Sequence, residues 1–150
     1  MGLLTYRHPA AGFTLPLPDD WERAEDTGPG VALVAIEPEH RGPFRANVVV
    51  TVQALAAGLD VDGWQADADE ELGRALDGYL LLDRERLRLR GHDVVRRLAH
   101  HARADTGSIT MEQWTLVHES RGYTLTASAG TLEYDALAPA FSVIAEGFRP

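Results

Sequence analysis

Apolar and polar residues alternate along most of the chain, a pattern that predicts β-strands. The strongest alternation lies in Asn47–Ala54, where Val48, Val50 and Val52 share one face of the predicted strand. Four shorter strands are predicted before it, at residues 5–8, 13–17, 22–26 and 31–37. The first two are predicted to form a hairpin of edge strands, because glycine and proline separate them. A turn that follows this hairpin would deliver Trp21 onto the rest of the fold.

One long segment has the spacing of an amphipathic helix, residues 60–77. Asp62 is the predicted N-cap, and Gly78 is predicted to follow the last turn. The mostly apolar face of this helix comprises Trp64, Ala68, Glu71, Leu72, Ala75 and Leu76. We expect this face to pack on the sheet, on the same side as the three valines of Asn47–Ala54.

Four more strands are predicted downstream, joined by turns short enough for antiparallel hairpins. They span residues 80–90, 94–103, 109–118 and 123–128. In the first of these strands, the leucines near one end face the opposite side of the sheet from those near the other end. This change of face predicts a bulge near residues 83–86. A final helix is predicted at 132–145, with Thr131 as its cap. Pro139 inside it predicts a kink or a second helix start.

The order of elements is strands, helix, four-strand meander and helix. It predicts an α+β fold with a mainly antiparallel sheet of six to seven strands and two helices packed on it. The chain has 150 residues and is predicted to form one domain, 1–150. We expect Trp21, Trp64 and Trp114 to be structural, buried or half-buried between sheet and helices.

Composition excludes several classes of function. The net charge of −9 argues against nucleic acid as a partner. Cysteine is absent, which excludes disulfides, thiolate metal sites, cysteine nucleophiles and lipid attachment through an N-terminal cysteine. No apolar run approaches membrane-spanning length, so we expect no membrane insertion. The expected location is the cytoplasm.

Charge is segregated along the chain. Residues 60–77 are strongly acidic, whereas residues 84–103 are rich in arginine. The arginines can belong to a solvated sheet edge that pairs with neighbouring acids. Alternatively they form a surface for an acidic partner. The candidates for partner binding are Arg84, Arg86, Arg88, Arg97 and Arg103.

Metal and catalytic motifs are weak. Residues 58–69 partly match a calcium loop, but Gly58 stands at the first ligand position and Asp69 at the place of the bidentate Glu. Capping of a helix by acidic residues explains the same segment. The six histidines lack the spacing of a metal site, and are His8, His40, His92, His100, His101 and His118. We therefore expect no metal or cofactor, and we assign no catalytic residue.

The order of glycine, proline and aromatic residues is distinctive. It runs through Tyr6, Gly12, Phe13, Leu17, Pro18 and Trp21, then residues 47–51, Gln113, Trp114, residues 123–126, Phe141, Ile144 and Phe148. In this order the chain resembles the PsbP-like superfamily, nearest the actinobacterial LpqN-type and the DcrB-like proteins. The resemblance covers nearly the whole chain and implies an antiparallel sheet with helices on it.

The same resemblance implies non-enzymatic roles, such as an extrinsic photosystem subunit, a Ran-binding import factor or a chaperone of secretion effectors. It brings no catalytic residue set, and the chain lacks the lipid-bearing cysteine of LpqN-type lipoproteins. We therefore expect a non-enzymatic cytoplasmic binding module, a chaperone or adaptor for another protein, with homodimer formation left open. One alternative is a carrier or sensor of a small apolar ligand held between helix and sheet. Another is a hydrolase-type enzyme with a carboxylate–His site assembled in space.

Overall fold

A seven-stranded antiparallel sheet forms the centre of the computed structural model, which describes residues 2–38 and 41–150. Its strands are β3 Glu22–Gly28, β4 Val31–Ile36, β5 Asn47–Ala54, β6 Leu80–Leu89, β7 His92–Arg103, β8 Gly107–His118 and β9 Arg121–Gly130. Across the sheet they are ordered β3-β4-β5-β9-β8-β7-β6. The predicted α+β fold with a mainly antiparallel sheet is confirmed.

The N-terminal hairpin forms a sheet of its own. Strands β1 Leu3–Arg7 and β2 Thr14–Pro18 pair with each other and lie outside the seven-stranded sheet. Phe13, Leu15 and Leu17 are fully buried in the hydrophobic core. The hairpin therefore covers the main sheet instead of extending its edge.

The core lies on one face of the main sheet, which we call the covered face. Val48 and Val50 of β5 pair with Ala127 and Leu125 of β9 and are fully buried. The N-terminal hairpin and the third helix, α3 Tyr134–Glu146, contribute the other layer of this core. The alternation of Asn47–Ala54 thus marks the core side of the central strand.

The predicted helix at 60–77 is two short helices, α1 Val61–Trp64 and α2 Ala68–Ala75. They lie on the opposite face, which we call the open face, so the predicted packing on the valine side is wrong. Val61 and Gln65 are the buried side chains of this segment, whereas α2 buries no residue. The predicted apolar face includes the charged Glu71, and its other members are only partly buried or exposed.

Several local predictions differ from the structure in detail. The N-cap of α1 is Asp60 and not Asp62, since Asp60 Oδ1 accepts a hydrogen bond from the Gly63 N–H at 2.8 Å. The bulge in β6 falls between Leu81 and Asp83, just before the predicted position. Helix α3 runs through Pro139 as one helix.

Candidate functional site

A row of uncharged side chains crosses the central strands on the open face. Cross-strand pairing places Val34 beside Val49, Val49 beside Thr126 and Thr126 beside Gln113. In the next row, Thr51 of β5 pairs with Thr124 of β9. We call these residues the uncharged strip, which comprises Val34, Val49, Thr51, Gln113, Thr124 and Thr126. All six are half-buried, so solvent still reaches the strip.

The strip is chemically suited to contact with another chain. Charged residues make up 25% of the sequence, yet the strip has none, and the cores of protein interfaces are depleted in charge. Its valines and threonines are β-branched and stiff at χ1, which lowers the entropy lost on binding. Gln113 Nε2 donates to Thr126 Oγ1 at 3.1 Å, which orients the amide along the sheet.

The row ends at Arg97 of β7, which pairs with Gln113. The Arg97 Nε donates to Asp69 Oδ1 at 2.7 Å, and its Nη1 donates to Gln65 Oε1 at 2.6 Å. Arg97 is 0% exposed, so its predicted place at an exposed interface rim is wrong. Helices α1 and α2 cover it, and its hydrogen bonds hold them beside the uncharged strip.

Tyr79 completes this buried group. Its hydroxyl donates to the Asp69 oxygen that also accepts from Arg97, at 3.1 Å. Burial is the main cause that raises the pKa of Tyr79 to about 12, and the hydrogen bond to Asp69 and the charge of that carboxylate add to it. Tyr79 is therefore a neutral donor at physiological pH.

The other arginines predicted to bind a partner are exposed and have acidic neighbours within the chain. Arg84 Nε lies 3.7 Å from Asp69 Oδ2, and Arg86 Nε lies 3.2 Å from Asp62 Oδ1. Arg88 and Arg103 likewise pair with the nearby Asp93 and Asp105. The acidic segment and the arginine-rich strand are thus brought together, and part of their charge is neutralised internally.

A second polar group, which the sequence analysis did not identify, lies on the covered face. Glu112 of β8 is buried and accepts hydrogen bonds from Arg96 Nε at 2.6 Å and from the Tyr134 hydroxyl at 2.7 Å. Burial, followed by the bond to Glu112, raises the pKa of Tyr134. The only sequence signal was a glutamate at a core-facing position of a strand. The group joins α3 to the sheet.

His8 and Asp26 are a carboxylate–His pair of the kind that an enzyme would require. His8 Nε2 lies 3.2 Å from Asp26 Oδ1, while Nδ1 accepts from the N–H groups of Ala10 and Ala11 at 3.2 and 2.8 Å. These backbone donors assign the proton to Nε2. Both ring nitrogens are therefore used, and the imidazole has no free lone pair to act as a base.

The other histidines that the structure describes do not assemble a metal centre. His100 and His101 are adjacent on β7 and point to opposite faces. His92 and His118 form an edge-to-face pair with ring centroids 5.2 Å apart. Within residues 2–38 and 41–150, no group of three His, Asp or Glu side chains could hold a metal ion. His40 lies outside the described residues.

The space between α3 and the sheet is closely packed. A gap lined by residues such as Val94, Trp114 and Phe148 has a volume of about 10 Å³. A single water needs a space of about 10–15 Å³ on the same measure. An apolar ligand would thus have to displace core side chains.

Within the described part of the chain, no helix is long and apolar enough to cross a bilayer.

The tryptophans lie in different environments. Trp21 and Trp114 are buried in the core on the covered face. Trp64 of α1 is half-buried on the open face, where its ring lies against Gly122 of β9.

Known structures match this architecture, although no protein-family model matches the sequence and no curated protein does so significantly. Cyanobacterial PsbP (CyanoP) from Synechocystis has a TM-score of 0.77 at 14% identity, covering 98% of this chain and 91% of that one. LpqN, a protein involved in cell envelope biogenesis of Mycobacterium tuberculosis, has a TM-score of 0.76 at 21% identity, covering 99% and 91%.

A protein of unknown function from Pseudomonas aeruginosa also matches, with a TM-score of 0.72 at 17% identity, covering 100% of this chain and 98% of that one. Identities this low show a shared fold and leave function open. The matches extend over almost the whole of this chain, and the seven-stranded antiparallel sheet agrees with them. The chain therefore has the PsbP-like fold.

Proposed function

We propose that this protein is a non-catalytic binding module, an adaptor or chaperone, that holds a segment of another protein against the uncharged strip. The observation that carries the proposal is the strip itself, which is half-buried and uncharged in a chain where charge is common elsewhere. Binding there would desolvate no charged group. Such a surface favours association through apolar and hydroxyl contacts.

Two features of the structure disfavour the alternative functions, an enzyme and a carrier of apolar ligands. The carboxylate–His pair of His8 and Asp26 has both imidazole nitrogens committed to hydrogen bonds. The small gap beneath α3 also disfavours a carrier of apolar ligands. The non-enzymatic roles implied by the PsbP-like resemblance agree with this interpretation, and LpqN of the same fold has a described part in cell envelope biogenesis.

The exposed arginines of β6 provide candidates for the rim of this interface. They lie on the open face, beyond α1 and α2, and their side chains remain substantially exposed despite their ion pairs. Surface ion pairs are weak, so an acidic partner segment can compete for them. Reversal of Arg86 and Arg88 to Glu is expected to slow association and reduce its salt dependence, because rim charges act mainly on the on-rate.

The test begins with a partner co-purified from the native host and then prepared separately. Its affinity is measured by calorimetry for the wild type, for Thr126→Arg in the strip and for Thr27→Arg on the exposed edge strand β3. Both variants add the same charge to a threonine of a strand. We expect binding to be lost with Thr126→Arg and retained with Thr27→Arg. Equal affinity of the two variants would overturn the proposed surface.

A further inference from the structure

Four cationic or protonatable side chains converge at the end of the sheet where two hairpins turn. Arg90 and Gly91 form the turn between β6 and β7, both with positive φ, and His92 follows. His118 ends β8, and Arg149 follows α3. Together with Pro150 they line a cleft of about 230 Å³, which we call the basic cleft.

Both arginines of the cleft have guanidinium donors without a partner among the described residues. The Arg90 Nε donates to the carbonyl oxygen of Glu146 at 2.8 Å, which fixes the side chain and leaves both terminal nitrogens without a hydrogen bond to the described residues. Arg149 is anchored by two backbone hydrogen bonds to Thr14, at 2.9 and 2.8 Å. Its side chain makes no ion pair or hydrogen bond with any described residue. These donors are thus available for an external acceptor.

The two histidines add ring N–H donors to the basic cleft, whose positive charge comes from the two arginines. Burial, then the neighbouring His118 and Arg88, lower the pKa of His92. Two acidic side chains lie nearby. Asp93 pairs with Arg88. Glu119 lies 3.8 Å from His118 and is largely exposed to solvent. Positive charge here is therefore only partly compensated, although the chain as a whole carries −9.

We propose that the basic cleft binds a phosphate-type oxyanion, either free phosphate or the phosphate group of a small phosphomonoester. Guanidinium groups bind phosphate oxygens through paired N–H donors, and neutral imidazole supplies further N–H donors. The cleft, about 230 Å³, is large enough for such a group and part of a small molecule attached to it. The site is separate from the uncharged strip, so the proposal does not depend on the function of that strip.

The experiment titrates the purified chain with inorganic phosphate and, separately, with glycerol 1-phosphate, against sodium chloride of matched ionic strength. Calorimetry gives affinity, and ring signals of His92 and His118 in NMR spectra report on the cleft. We expect saturable binding and an upward shift of the His92 pKa, since a nearby anion favours the protonated ring. Binding of both ligands identifies a site for free phosphate, and binding of the ester alone identifies a site for phosphate on a larger molecule.

Two variants provide the control. Arg149→Gln removes a guanidinium that makes no internal contact, so the fold should remain, and we expect affinity to fall by about tenfold or more. Arg103→Gln removes an exposed arginine that pairs with Asp105 at the opposite end of β7, and should bind as the wild type does. Absence of saturable binding by the wild type, unchanged His92 and His118 signals, or equal affinity of Arg149→Gln and the wild type would overturn the proposal.

Discussion

The ring of Trp64 lies so close to Gly122 that a side chain at residue 122 has no space. A Cβ atom built on Gly122 would be 2.5 Å from Trp64 Cη2 and 2.6 Å from Cζ2. The backbone of Gly122 does not have a positive φ, so the requirement for glycine is one of space. This contact lets the Trp64 ring reach Gly122 of β9, while α1 itself lies over β7 and β8.

Gly122→Ala is therefore expected to lower the free energy of unfolding by about 1–3 kcal/mol, because the indole must move or α1 must lift. Gly28→Ala is the matched control, since a Cβ at Gly28 meets no atom within 4 Å and its φ is not positive. Urea denaturation of both variants measures the difference. Equal stability of the two would show that Trp64 is not closely packed.

Arg97→Met should destabilise the chain more than any change at an exposed arginine. It leaves Gln65 and Asp69 without their buried donor, and loss of one partner of a buried pair costs about 3–5 kcal/mol. We expect a value near the lower limit, because Asp69 is partly exposed. Arg103→Met, which breaks only an exposed pair with Asp105, should change the stability by less than about 1 kcal/mol.

Tyr79 predicts a loss of stability at alkaline pH. Its pKa is raised from 10.0 to about 12, so the folded state holds this proton more tightly than the unfolded chain does. The resulting stabilisation is fully present below pH 10 and is lost as the pH rises from 10 towards 12. Tyr79→Phe should make the decline in unfolding free energy over that interval less steep. Parallel curves for the two proteins would contradict the assigned hydrogen bond.

Trp21→Ala is expected to cost about 3–5 kcal/mol, because the side chain is buried in the core between the N-terminal hairpin and the sheet. Trp21→Phe keeps an aromatic ring and should cost less. Thermal unfolding followed by circular dichroism compares the two. An unchanged melting temperature for Trp21→Ala would show that Trp21 does not contribute to the core that joins the hairpin to the sheet.

Local pattern was sufficient to predict the sheet. The alternation in Asn47–Ala54 identified the buried valines, and short glycine-containing turns identified the antiparallel meander. Strand periodicity and turn chemistry act over a few residues, so they can be read from one segment at a time. The resemblance to PsbP-like proteins agreed with the same elements.

Features that depend on distant residues could not be predicted in this way. Arg97 is buried because Gln65 and Asp69, about thirty residues earlier in the chain, satisfy its guanidinium. Helical periodicity showed which residues share a side, but it does not determine which face of the sheet a helix covers. Asp60 and Asp62 are equally suitable N-caps by residue type. Asp60 is the N-cap because its side chain accepts the hydrogen bond from the Gly63 N–H. The uncharged strip itself required the register of four strands.

The most direct test of the proposed binding surface is methyl NMR of the chain bound to its purified partner. Val49 and Val48 are adjacent on β5, but Val49 lies in the uncharged strip and Val48 lies in the core on the other face. We predict that the partner shifts or broadens the methyl signals of Val49, Thr124 and Thr126 and leaves those of Val48 unchanged. Signals of the strip that stay unchanged in a saturated complex would contradict the account.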